Sequence, residues 1–109
     1  MAESCSWCGT RVEPGDGFRL AETPGERRAA FCRLEHTVPW AMHGPRWEAG
    51  QPVEPHGLAD SLDACAQCGE PLGDVRLVLV SHRGEHRIPD AFCSVDHLGD
   101  WAKAGGRYG

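Results

Sequence analysis

Cys5 and Cys8 form a Cys-x-x-Cys pair, and Cys32 and His36 follow, four residues apart; Cys65 and Cys68, then Cys93 and His97, repeat the set. A Cys-x-x-Cys knuckle offers two thiolates to one ion, and a Cys and a His four apart at a helix start lie on one face. The pattern predicts two zinc ions per chain. One would sit on Cys5, Cys8, Cys32 and His36, the other on Cys65, Cys68, Cys93 and His97. A disulfide framework gives no reason for a histidine at the same offset twice, and an iron–sulfur cluster is less suited to one imidazole among thiolates at this spacing. Four protein donors saturate a tetrahedron and leave no position for water, which disfavours Lewis-acid catalysis. No Ser-His-Asp or paired-carboxylate arrangement stands out, so the expectation is a structural metal role and no enzyme activity.

The elements that must hold these ligands also repeat. Cys5-Ser6-Trp7-Cys8-Gly9 matches Cys65-Ala66-Gln67-Cys68-Gly69 at an offset of 60, and Ala30-Phe31-Cys32, His36, Trp40-Ala41 and Gly44 match Ala91-Phe92-Cys93, His97, Trp101-Ala102 and Gly105 at 61. Repetition of ligands and aromatics at one period indicates an internal duplication. The glycine closing each knuckle lets the backbone turn so that its amides face the sulfurs. Val75 to Val80 and Glu85 to Ile88 read as a β-hairpin turned at Ser81-His82-Arg83-Gly84, with a more polar counterpart around Phe18 and Leu20 and a turn at Thr23-Pro24-Gly25. A short helix follows each third cysteine. Ser94 is a candidate N-cap, with Val95, Leu98 and Trp101 on an apolar face and Gly105 as the stop; Pro39 threatens an early break in the first copy. Pro45 to Gly57 is a Pro/Gly-rich linker without regular structure of its own, and Leu58 to Leu62 is a candidate helical turn. The division is residues 1–44 for the first Cys3His module, 45–61 for the linker and 62–109 for the second module.

The chain has 109 residues and a net charge of −5, and modules of this size need a metal or disulfide staple because they bury too little apolar surface. Zinc-bound, the six thiolates and two zinc ions give −7 with neutral ligand histidines. That balance opposes binding to a phosphate backbone. It leaves a nucleic-acid-binding alternative resting on Arg19, Arg27, Arg28 and Arg33 of the first copy. No signal-like or membrane-spanning run occurs, the expected location is cytoplasmic, and the ten Arg against one Lys suggest a GC-rich bacterial source.

Trp40 and Trp101, at matched positions, read as core. Trp7 has no counterpart, since Gln67 stands in its place, and a knuckle has little interior for an indole; it is a candidate partner contact, as is Trp47 among the linker prolines. His43, His56, His82 and His86 read as solvated surface residues. Val75 to Val80 is apolar on both faces, which predicts that the copies pack together, with Val78 and Val80 near their seam and Trp47 against it.

At Phe92-Cys93-Ser94 and Leu98-Gly99-Asp100-Trp101-Ala102 the chain resembles the small bacterial DNA gyrase inhibitor family. At Cys5-Ser6-Trp7-Cys8-Gly9 it is similar to the zinc-binding domain of Clp-type unfoldases. The resemblance implies a small zinc-stabilised α+β fold of two tandem treble-clef-like modules, each with a knuckle, a β-hairpin and a short helix. Both families use the module to contact proteins. The implied function is a non-enzymatic protein-interaction adaptor or regulator.

Overall fold

The computed structural model describes residues 3–13, 15–23, 27–49, 64–73, 76–84 and 86–106. Residues 50–63, which hold most of the linker, His56 and the candidate turn at Leu58 to Leu62, lie outside the described residues, as do Pro24, Gly25, Val75 and Glu85.

Each Cys-x-x-Cys sits on a tight knuckle. In the first copy β1 (Glu3–Ser4) pairs with β2 (Arg11–Val12), and in the second an isolated bridge joins Ala64 and Pro71 at the same place. The backbone bonds repeat. Cys5 N–H reaches Thr10 O at 2.8 Å and Gly9 N–H reaches Cys5 O at 2.9 Å; Cys65 to Glu70 and Gly69 to Cys65 are both 2.9 Å. Gly9 and Gly69 have φ of 80° and 77°, a region that side-chain-bearing residues rarely adopt.

β3 (Phe18–Thr23) and β4 (Arg27–Phe31) form the first hairpin, β6 (Arg76–Arg83) and β7 (His86–Phe92) the second. Ser81, His82 and Arg83 belong to the strand, so the second hairpin runs further than the sequence reading places its turn. The hairpins join edge to edge. β3 pairs antiparallel with β6, giving one five-stranded sheet of order β5-β4-β3-β6-β7, where β5 is Glu48–Ala49. Part of the segment read as an unstructured linker is therefore an edge strand on β4.

Phe18 lies opposite Phe31 and Leu77 opposite Phe92, so Leu20 and Leu79 hold equivalent positions, and these two are paired with each other across the seam. An approximate twofold axis thus passes through the Leu20–Leu79 pair. α1 (Thr37–Met42) and α2 (Val95–Lys103) pack side by side on one face of the sheet; a Cβ on Gly99 would come within 3.1 Å of the Ala41 methyl, so glycine there sets the close approach. Leu20, Phe31, Trp40, Leu79, Phe92 and Leu98 form the core between helices and sheet. Ala21, Ala30, Val78 and Ala91 are buried on the opposite face, which accounts for the apolar residues on both sides of β6.

Pro39 does not break the first helix. A 3-10 turn over Leu34–His36 leads in, and Pro39 falls in the first turn of α1, where its missing N–H has no intrahelical partner to lose. Ser94 caps α2, accepting a hydrogen bond from His97 N–H at 3.2 Å. Val78 and Val80 lie on the seam strand, opposite Ala21 and Arg19. Trp47 does not lie there: it sits at the β5 edge against Trp40, with ring centroids 5.0 Å apart. His82, read from sequence as a surface residue beside a turn, is buried because β6 carries it into the sheet.

Candidate metal centres

Each metal centre is assembled from three pieces of chain. The knuckle presents Cys5 and Cys8, the end of β4 leads to Cys32, and the turn before α1 brings round His36. Ser6 N–H bonds Ala30 O at 2.6 Å and Ala66 N–H bonds Ala91 O at 2.8 Å, so in both copies the knuckle is anchored two residues before the third cysteine. The donor atoms of Cys5, Cys8, Cys32 and His36 all lie within 4.8 Å of one another, and so do those of Cys65, Cys68, Cys93 and His97. All six cysteines are free thiols. Every residue assigned to a metal from the sequence is in one of these two groups.

The spacing suits zinc. A tetrahedron with Zn–S near 2.3 Å and Zn–N near 2.0–2.1 Å has S···S edges of about 3.8 Å and S···N edges of about 3.6 Å. Cys8 and Cys32 sulfurs are 3.6 Å apart, and Cys68 and Cys93 sulfurs 3.8 Å. Cys5 Sγ lies 3.6 Å from His36 Nδ1 and Cys65 Sγ 3.8 Å from His97 Nδ1. The Cys32–His36 and Cys93–His97 contacts are tighter than that edge, 3.2 and 2.7 Å. Nδ1 is the ring nitrogen turned toward the sulfurs in both centres.

The thiols themselves call for a cation. The Thr10 hydroxyl, 3.1 Å from Cys8 Sγ, together with the Thr10 backbone amide, holds Cys8 down from 9.0 to about 6. Burial works against ionisation of Cys65, but the amides around it, led by that of Cys68, outweigh burial and bring it to about 6. In each centre the third cysteine goes the other way. Loss of solvent, then the neighbouring sulfurs, push Cys32 and Cys93 up to about 11. A first thiolate forms readily, and a further one is opposed by the charge beside it. A divalent ion removes that opposition, and its binding expels the remaining protons. The two Cys3His groups, with no disulfide in either, are thus consistent with two structural zinc ions.

Trp7 and Trp47, the two candidate partner contacts, are not brought together with each other. Trp7 is 46% exposed and its ring stacks on His43 at 5.9 Å. Trp47 is partly buried, with the Arg27 guanidinium 4.7 Å from its ring centroid. The stacking of His43 on Trp7 has no signal in the sequence, because it depends on where α1 ends relative to the knuckle.

The chain matches no protein-family model, no curated protein and no solved structure. Among the described residues no helix is long and apolar enough to cross a membrane.

Proposed function

We propose that this chain is a non-enzymatic, zinc-stabilised adaptor that recognises another protein through the outer surface of its first module. The duplication supplies an internal control. Whatever the fold requires should appear in both copies, and what appears in one copy is available for function. Trp7 and His43 correspond to Gln67 and Ala104, so neither aromatic ring is needed to build a knuckle or end a helix. Yet Trp7 and His43 are both exposed and stack on each other, beside Arg46 in a surface hollow that also includes Ser6 and Gly44. Exposed indoles and arginines are the residues that dominate binding energy at protein interfaces. The ligand sets are complete without water, which supports a structural rather than catalytic metal. The treble-clef-like resemblance and a reducing, cytoplasmic setting for six free thiols fit the same reading.

The nucleic-acid alternative loses much of its basic face. Arg19 is buried, with its guanidinium donating to Asp16 O at 2.9 Å and Glu13 O at 3.0 Å. Arg27 is paired with Glu22 and covers Trp47. Of the four arginines, Arg27 and Arg33 are exposed and Arg28 is half-buried. Affinity capture and crosslinking with zinc-loaded wild type and Trp7→Ala, side by side, test the proposal. A partner retained by wild type and lost with Trp7→Ala is the expected outcome. Binding to DNA or RNA that falls steeply with salt, unaffected by Trp7→Ala, contradicts it.

A further inference from the structure

The two metal centres repeat one unit, so matched positions show directly where their surroundings differ. Three differences fall beside the sulfurs, and all run one way. Thr10 Oγ1 lies 3.1 Å from Cys8 Sγ, where a hydroxyl donates to a metal-bound thiolate and offsets part of its charge. Glu70 stands at the matched position of the second copy, and a carboxylate has no proton to donate. Ser6 Oγ accepts from Ala30 N–H at 3.0 Å, a second bond beside the 2.6 Å main-chain contact that ties the first knuckle to β4. Its counterpart Ala66 has no hydroxyl, and holds the second knuckle through the main-chain bond to Ala91 O. Finally, Cys32 is half-buried whereas Cys93 is exposed, while the other ligands have matching burial in the two centres.

We infer that the two centres are unequal: Cys5, Cys8, Cys32 and His36 form a permanent zinc centre, and Cys65, Cys68, Cys93 and His97 an exchangeable one that fills and empties with available zinc. This rests on zinc at both centres and not on Trp7 as a partner contact. Groups that hydrogen-bond and orient metal ligands are worth roughly 10–100-fold in metal affinity. The first centre has two such groups, the Thr10 and Ser6 hydroxyls, that the second lacks. An exposed thiolate is also the one that a competing reagent reaches first. Ser94 works in the opposite sense, because it accepts from His97 N–H at 3.2 Å, whereas the turn after Cys32 has no side-chain cap. That bond acts on the backbone of α2 and gives the three sulfurs neither a donor nor cover. Because metal binding and local folding are coupled, emptying the second centre loosens the Cys65–Cys68 knuckle and the start of α2. The first knuckle, with Trp7, keeps its shape.

Graded chelation of the zinc-loaded full chain tests this. Pyridylazoresorcinol is added in increasing amounts, its colour reports the zinc released, and iodoacetamide with peptide mapping then locates the freed cysteines. Release in two steps is expected, separated by roughly 10–100-fold in chelator. Cys65, Cys68 and Cys93 should be alkylated after the first step, and Cys5, Cys8 and Cys32 only after the second. Thr10→Val removes the hydroxyl at nearly constant shape and should narrow the separation by weakening the first centre. Glu70→Thr should narrow it from the other side, by strengthening the second. Release in one step, alkylation of both sets together, or the first set leading overturns the inference. So does a separation that is unchanged in both folded variants, since the hydroxyl would then not be its cause. Fewer than two zinc ions per chain at the outset would overturn the zinc assignment itself, and this inference with it.

Discussion

Leu20→Ala removes one half of the pair on the approximate twofold axis. Leu20 is completely buried and faces Leu79 across the seam and Ala29 across its own hairpin. β3 is held by β4 on one side and β6 on the other, so the backbone around the lost side chain has little freedom to collapse. A buried leucine truncated where the surroundings cannot relax costs about 3–5 kcal/mol. At about 4–8 °C per kcal/mol for a domain near this size, the thermal midpoint should fall by on the order of 12 °C or more. Because the seam is shared, the loss should reach the second module as well. With zinc in excess, circular dichroism gives the midpoint, and the indole resonances of Trp40 and Trp101 report the two copies separately. Both resonances should lose their folded positions together at the lowered temperature. A fall of less than about 4 °C, or a Trp101 signal that persists after that of Trp40 has gone, would refute a common sheet as the basis of stability.

Cys93→Ser should lower zinc from two ions to one per chain by elemental analysis, with Cys5, Cys8, Cys32 and His36 still loaded. Strong chelation should unfold both modules, since structural zinc contributes about 10–16 kcal/mol in small domains whose net stability is about 5–15 kcal/mol. Near-UV circular dichroism of the tryptophans that survives metal removal would contradict this. Ser94→Ala removes the acceptor of the His97 N–H and should cost about 0.5–2 kcal/mol in urea unfolding; no change would mean that the cap does not help position His97.

The local parts of this molecule were legible in the sequence because their signals are local. Cys-x-x-Cys-Gly specifies a knuckle within five residues, Ser94 announces a helix start, and Cys32 with His36 needs only one turn to converge. The seam is different. Pairing β3 with β6 joins Leu20 to Leu79 over a long stretch of chain, and nothing in either strand names the other. The apolar run at Leu77 to Val80 required cover on both faces but left its source open. Trp47 was misplaced for a related reason, since the register of Glu48–Ala49 on β4 carries the indole to the far edge of the sheet. The same holds for His82, whose burial follows from a strand that continues through Ser81, His82 and Arg83, three of the residues expected to turn.

The most direct test of two structural zinc centres is X-ray absorption at the zinc edge of the freshly reduced protein, combined with metal quantification on the same sample. Two zinc ions per chain are expected, each with three sulfurs near 2.3 Å and one nitrogen near 2.0–2.1 Å. One ion or none, or a coordination shell in which oxygen replaces the nitrogen or a sulfur, would contradict the assignment of Cys5, Cys8, Cys32, His36, Cys65, Cys68, Cys93 and His97.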